Sequence, residues 1–358
     1  MSFHTYKPVQ SFVPNYILAN LSRAGVEEAR LSIHQSSHSR EARRSNAKET
    51  NVGDIITFAQ STRSMGAVAV KVAAARKIYD CEGKWKLRTK LVREEGDSAA
   101  SDECVNQVYD FASVVREYYK NILNRDSIDN LGMDLIFNVH YGQDFMNAFW
   151  DGDEMIFGDG DGKVFVNFSS SLEVIAHELA HGVTQHTANL EYMGQSGALN
   201  EHFSDVFGSA IQQHAQGQTA DNADWLIGNE IMGPELYGEA LRSMKEPGTA
   251  FDNKLMGKDQ QPAHMRDYYA GPEDNQGVHM NSGIMNKAFY LTAMEIGTDT
   301  AALIWYHALE KLWPTAKFND AVSVIAESAR LLTRDQKVPA GTTQNVRAAF
   351  KEVGLPQL

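Results

Sequence analysis

Cysteine is nearly missing from this chain: Cys81 and Cys104 are the only two in 358 residues. A disulfide framework is thereby excluded, and neither cysteine has the spacing of a metal-binding pair. Two free thiols and one incidental bridge remain as alternatives. Long apolar runs are missing too, with nothing near the roughly 20 residues of a membrane span. The stretch before Arg23 has no continuous apolar core of the kind a secretory signal needs. Cytoplasmic accumulation or non-classical secretion is the expectation that follows. Positive charge is in short supply, 33 Lys and Arg against 46 Asp and Glu, for a net charge of −13. That balance argues against nucleic acid and anionic membranes as partners and favours a soluble protein, expected to be a monomer. No internal repeat is found. What remains, 43% hydrophobic and 22% charged residues, is the composition of a globular protein long enough for two domains.

Against this background stands His177-Glu178-Leu179-Ala180-His181. Two histidines four apart on a helix share a face, so their imidazoles can hold one metal ion. Leu172, Val174, Ile175, Ala176, Leu179 and Val183 make that helix apolar enough to be a core element. Burying two histidines and a glutamate there costs several kcal/mol, on the order of 2–7 per unpaired polar group, unless a metal compensates. Glu201 supplies a third ligand suited to zinc, and two His plus one carboxylate leave the open position of a catalytic site. Asp205 is again four residues on and can accept a hydrogen bond from a ligating imidazole. Glu178 is placed to serve a water molecule as general base. His186 and His202 fall off this face: His186 is read as structural or exposed, and His202 as not a ligand. The pattern implies a zinc-dependent peptide hydrolase.

Along the chain, residues 8–33 carry apolar residues, with a helix expected from Val26 to Ile33. The stretch 34–50 is polar, rich in Ser and Arg, and reads as an exposed linker. Within it Arg43-Arg44-Ser45 is either a cleavage site or an ordinary solvated loop. Val68, Val70 and Val72 alternate as in a strand, and Lys77–Asp80 continues the pattern before a turn at Gly83. A helix is expected over 103–124. Strands and turns follow from 133 to 168, including Val164–Phe168. From 171 onward helices are expected at 171–187, 198–216, 282–296, 299–312, 318–331 and 342–353. The fold class is therefore α+β: a β-rich half, then a helical half, joined by the metal-binding helix. Asp159-Gly160-Asp161-Gly162 has calcium-loop character, but Lys163 sits where an oxygen ligand is needed, so a tight turn is expected.

Six motifs in order resemble the thermolysin-like metallopeptidases: Asn147-Ala-Phe-Trp, Gly158-Asp-Gly-Asp-Gly, His177-Glu-Leu-Ala-His, Gly197-Ala-Leu-Asn-Glu-His-Phe-Ser-Asp, Leu241-Arg-Ser-Met and Asn275-Gln-Gly-Val-His-Met-Asn-Ser-Gly. The likeness covers most of residues 75–358. The segment at Pro14-Asn-Tyr-Ile-Leu is similar to the brief propeptide of that family's protealysin-like branch. The resemblance implies a prosegment and linker at 1–50, a β-rich catalytic domain with the zinc helix at 51–186, and an α-helical domain at 187–358. It implies one catalytic Zn2+ on His177, His181 and Glu201, with Asp205 behind a ligand and Glu178 as base. By the same likeness Tyr192 and His279 donate to the oxyanion, and Asp274 orients His279. Asn147 and Ala148 bind substrate backbone, and Arg242 holds a substrate carbonyl. Phe165, Phe168, Val174, Ile227 and Leu241 line a pocket preferring bulky hydrophobic residues on the carbonyl-distal side of the cut bond.

Relatives with a paired calcium site use carboxylates where this chain has Glu173, Gln212, Asp224, Leu226 and Asn229. Three of the five are not carboxylates, so the pair is expected to be absent. The segment Gly233–Glu239 also departs from the family pattern and leaves a single calcium undecided. Two other readings bear on function. One is a non-catalytic binding protein on a peptidase scaffold. The other, compatible with an enzyme and favoured here, is a latent zymogen whose residues 1–50 act as an inhibitor in cis.

Overall fold

The computed structural model describes residues 10–35 and 74–355. The linker from residue 36, Arg43-Arg44-Ser45 and the Val68–Val72 alternation lie outside them. One six-stranded sheet organises the first half. Its strands are β1 (Gln10–Ser11), β2 (Arg76–Asp80), β3 (Lys90–Glu94), β4 (Leu135–Val139), β5 (Ala148–Trp150) and β6 (Met155–Phe157). Their order across the sheet is β1-β5-β6-β4-β2-β3. The β2–β4 and β4–β6 pairs are parallel and the other three antiparallel. The edge strand β1 thus comes from the far N-terminus and adds to the sheet over a long sequence separation.

Helix α1 (Asn15–Arg23) and a second helix, α2, over residues 27–35 follow β1. Helix α3 (Glu103–Asn121) begins at Asp102, whose side chain accepts from the Cys104 N–H, and buries Val105, Val108, Ala112 and Val115. Helix α4 (Leu172–Gln185) is capped by the Ser171 hydroxyl and buried over almost its whole length. It packs along α5 (Gly194–Ala215), which in turn packs on α6 (Glu273–Ile296). Helices α7 (Thr298–Leu309), α8 (Phe318–Arg334) and α9 (Thr342–Glu352) complete the helical half. A single apolar core runs through both halves, and Cys81, Tyr141, Phe145, Phe149 and Ile156 form a smaller cluster beside it. Both cysteines are free. Among the described residues, no helix is long and apolar enough to cross a membrane.

The α+β arrangement, β-rich first and helical second with α4 between, is the expected one. Three local expectations change. Residues 164–168 form no strand beyond the Phe165–Met232 bridge, and a 3-10 turn occupies Phe168–Ser170. The cause is Asp161, whose Oδ1 takes the N–H groups of Lys163, Val164 and Phe165 and curls the chain. This is the tight turn expected of the Asp-Gly-Asp-Gly run. Helix α5 starts at Gly194 rather than 198, although glycine is a poor helix former. Packing overrides propensity there: a Cβ at Gly197 would collide with Val278 of α6. Helix α6 is drawn from 273 rather than 282, but Asp274, Asn275, Gln276 and Gly277 form a left-handed turn before the right-handed helix begins.

Candidate metal centre and cleft

Three side chains from α4 and α5 converge. His177, His181 and Glu201 each offer one ligand atom, and all lie within 4.8 Å of one another. Nε2 of His177 and of His181 each stand 3.5 Å from a Glu201 oxygen. The two imidazoles cross edge to face with centroids 4.7 Å apart. All three groups are buried, and the two Nε2 atoms and Glu201 Oε2 have no hydrogen-bond partner. Buried polar atoms are seldom left unpaired. Orphans converging from two imidazoles and a carboxylate fit a zinc ion, with N and O ligands and an open position.

The remote ring nitrogens each face a polar group. His177 Nδ1 is 3.0 Å from Asp205. His181 Nδ1 lies 2.8 Å from Asn200 Oδ1 and 3.0 Å from Ser204 Oγ. Asn200 and Ser204 were not singled out in the sequence, although both lie within the Glu201 motif. Asp205 also takes a two-pronged bond from Arg242, Nε and Nη2 each at 2.9 Å, and one from Asn286 Nδ2 at 2.9 Å. Burial opposes ionisation of Asp205, but Arg242 and His177 hold its carboxyl well below the ordinary range. Burial would lower His177, and the carboxylates of Asp205 and Glu201 beside it instead raise it to about 9. His202 is held between Asn286 and Trp305 Nε1, both at 2.7 Å, and takes no part. His186 caps the end of α4.

Glu178 has both oxygens buried and unpartnered, and burial pushes its carboxyl up to about 8. Tyr192 Oη donates to Glu201 and lies 3.2 Å from His279 Nε2. The left-handed turn at 274–277 folds Asp274 back on His279, with Oδ1 2.6 Å from Nδ1 and Oδ2 accepting the His279 N–H at 2.8 Å. Burial opposes protonation of His279, yet Asp274 and Glu201 raise it to about 8.

Residues 10–13 lie across this cleft. The Phe12 N–H donates to the Ala148 carbonyl at 3.0 Å. The Val13 N–H donates to Asn147 Oδ1 at 2.8 Å, and Asn147 Nδ2 donates back to the Val13 carbonyl at 3.2 Å. Arg242 Nη1 donates to the Phe12 carbonyl at 3.2 Å, and His279 Nε2 is 2.9 Å from the Ser11 carbonyl. The Phe12 ring stands edge-on to His177 at 5.0 Å, wholly buried in the core that also holds Phe165, Phe168, Val174, Ile227 and Leu241. Its edge and Leu241 both meet the space beside Gly228. Asn147, Ala148, Arg242 and His279 thus come together around one extended segment. Phe12 is the residue that sequence reasoning missed. The Pro14 after Val13, which disfavours helix in the preceding residue, was its available signal.

The thermolysin metallopeptidase catalytic-domain model matches residues 30–185, and the alpha-helical-domain model matches residues 188–355. The chain belongs to the thermolysin metallopeptidase family. It is accordingly a zinc-dependent metalloendopeptidase. An extracellular metalloprotease of Pectobacterium carotovorum is 43% identical over 307 residues, 85% of each chain. Protease PrtS of a Photorhabdus species is 40% identical, covering 97% of this chain and 92% of its own. The solved precursor of protealysin, a metalloproteinase from Serratia proteamaculans, is 38% identical with a TM-score of 0.81, covering 97% of this chain and 99% of that one.

Asp205→Asn tests the link between α4, α5 and Arg242. It removes a buried charge shared by an imidazole and a guanidinium. Zinc affinity is expected to fall about 10–100-fold, measured by chelator competition. Affinity within threefold of the parent would show that His177 does not depend on Asp205.

Proposed function

We propose that this zinc endopeptidase cuts on the amino side of bulky hydrophobic residues, using Glu178 as general base, and is made as a zymogen inhibited by residues 1–50. The observation that carries the reading is the course of residues 10–13, whose Phe12 fills an apolar pocket while its backbone bonds to Ala148, Asn147 and Arg242. A substrate strand adding to β5 in the same way would present its own bulky residue to that pocket. The Ser11 carbonyl, beside His279 Nε2 at 2.9 Å, stands for the carbonyl of the bond to be cut.

In this reading His177, His181 and Glu201 hold the zinc, with Asp205 behind His177. When bound, zinc polarises the scissile carbonyl and makes its water more acidic. Glu178 takes a proton from the attacking water and delivers it to the leaving amine. Its raised affinity for protons suits both halves of that task. His279, charged through Asp274, and Tyr192 donate to the oxygen as negative charge grows on it. A lost donor of this kind costs about 3–4 kcal/mol. Fragments made from an unfolded protein by the processed enzyme should carry Phe, Leu or Ile at their new N-termini when read by mass spectrometry. A majority of charged residues there would overturn the specificity. Glu178→Ala should yield almost none of these fragments while keeping its zinc. More than about a tenth of the parent kcat, a loss under about 1.4 kcal/mol, would remove Glu178 as base.

The inhibitory role rests on the same contacts. Segment and domain share one chain, so a modest affinity is enough to fill the cleft. Cleavage within 34–65 would end that advantage. Truncating Phe12 removes the burial of an aromatic ring, worth about 1.5–3 kcal/mol. In the uncut chain, checked by mass spectrometry, Phe12→Ala should raise peptidase activity at least tenfold. Full activity from the intact parent chain would refute the zymogen.

The paired calcium site is proposed to be absent. Asn229 Nδ2 donates to Asp224 at 3.0 Å and Gln212 Nε2 to Glu230 at 3.2 Å, so amide groups occupy both carboxylates. Burial raises Glu173 to about 8, which disfavours its charged form. Glu173 Oε1, Gln212 Oε1 and Asn229 Oδ1 are buried without partners. Thermal inactivation should change little when calcium is removed. Two calcium ions bound near Glu173 and Asp224 would contradict the proposal.

A further inference from the structure

Away from the cleft, one group of side chains has the donor set of another metal centre. Asp102, Cys104 and His140 each offer one ligand atom, and these atoms lie within 4.8 Å of one another. Asp102 and Cys104 come from the start of α3, and His140 follows β4. Asp102 Oδ2 is 2.9 Å from His140 Nε2, and its Oδ1 accepts the Cys104 N–H at 2.9 Å, which fixes the carboxylate. Across the ring, Nδ1 stands 2.9 and 3.0 Å from the two oxygens of Asp159. Asp159 is held in turn by Asn167 Nδ2 at 2.9 Å. An N–H donated from Nδ1 to a carboxylate leaves Nε2 as the ligand atom, turned toward Asp102 and Cys104. Histidines that bind metals are commonly oriented this way. Cys104 Sγ has Ser169 Oγ at 2.8 Å and accepts from Asn167 Nδ2 at 3.5 Å.

We propose that Asp102, Cys104 and His140 form a second site, for zinc or another thiophilic divalent cation, with Asp159 as the residue that positions His140. The donors are one sulfur, one imidazole nitrogen and one carboxylate oxygen. That mixture suits zinc, cobalt or cadmium, whereas calcium and magnesium take oxygen alone. Carboxylate and thiolate offset the two charges of the ion, and partial exposure leaves its remaining position to water. The group already favours positive charge at its centre: Asp159, then Cys104, raise His140 to about 11 despite the opposing effect of burial. A metal replaces that charge. On binding, the proton leaves Nε2 and a thiol proton leaves Sγ, so uptake of the ion releases protons. The positive end of α3 opposes a cation, a small effect beside three ligands.

The site has its own spectroscopic signature. The cleft donors His177, His181 and Glu201 include no sulfur, so a thiolate-to-cobalt charge-transfer band reports a cysteine ligand alone. The full-length chain is titrated with cobalt(II) and followed in the near ultraviolet. The wild type should develop the band as it takes up a second equivalent. Cys81→Ser should keep it, since Cys81 is buried against Asn138 and burial pushes its thiol up to about 12. Cys104→Ser should lose the band yet still bind one equivalent in the cleft, which serves as its folding control. His140→Gln and Asp159→Asn should weaken the second equivalent at least tenfold. A wild-type chain that saturates at one equivalent without a sulfur band would overturn the site and leave His140 as an ion-pair partner of Asp102 and Asp159. A band that survives Cys104→Ser would overturn it as well.

Discussion

The carboxylate of Asp205 is the joint on which the cleft depends. It lies wholly buried on α5 and binds His177 of α4, Asn286 of α6 and Arg242 at once. A buried carboxylate is costly alone and tolerable when each lone pair is used. Here a guanidinium takes both oxygens and an imidazole and an amide share them. Three elements are thereby locked around one charge, and Arg242 keeps its third nitrogen, Nη1, for the Phe12 carbonyl. The metal-side and peptide-side arms of the cleft are therefore not independent. A shift of Arg242 would be felt at His177 through a single shared partner.

The second constraint is backbone strain. Asp274, Asn275 and Gln276 all take left-handed dihedrals, an arrangement that costs roughly 1–2 kcal/mol for each residue with a Cβ. The turn is kept because it brings both oxygens of Asp274 onto His279, one on the ring and one on the backbone N–H. Ordinary helix would point Asp274 away from a residue five positions later. Strain of this kind gathers where geometry serves chemistry.

Much of the proposed centre was legible because its spacing is local. Positions 177 and 181, and again 201 and 205, repeat at the helical period, so residue type and spacing alone bring them to one face. Element boundaries were read less well where tertiary contact outvotes propensity, as at Gly194–Gly197, or where a side chain rewrites the backbone, as Asp161 does at 163–165. Tyr192, His279 and Arg242 carry no periodic signal and came through resemblance. Phe12 escaped because its contacts span long separations: Arg242 reaches it across 230 positions. The same limit applies to Asp102, Cys104 and His140. No spacing rule links a helix cap to the residue after a strand 38 positions away, so Cys104 read only as a free thiol or half of an incidental bridge.

The course of residues 10–13 also bears on how a proposed inhibitor can be firm without being permanent. β1 is two residues long, and beyond it the segment is held by Phe12, by Asn147 and by Arg242. Helix α1 adds Ile17, Leu18 and Leu21 to the core, and Asn20 Nδ2 donates to the Met256 carbonyl at 2.6 Å. The anchor is therefore apolar burial, which does not depend on the cleft, while the cleft contacts themselves are few. A tether that keeps α1 near its groove makes those few contacts sufficient. Once the tether is cut, each dissociation of α1 is paid for in full by dilution, and substrates of the same backbone geometry compete on equal terms. In the proposed zymogen, latency is a property of connectivity more than of contact strength.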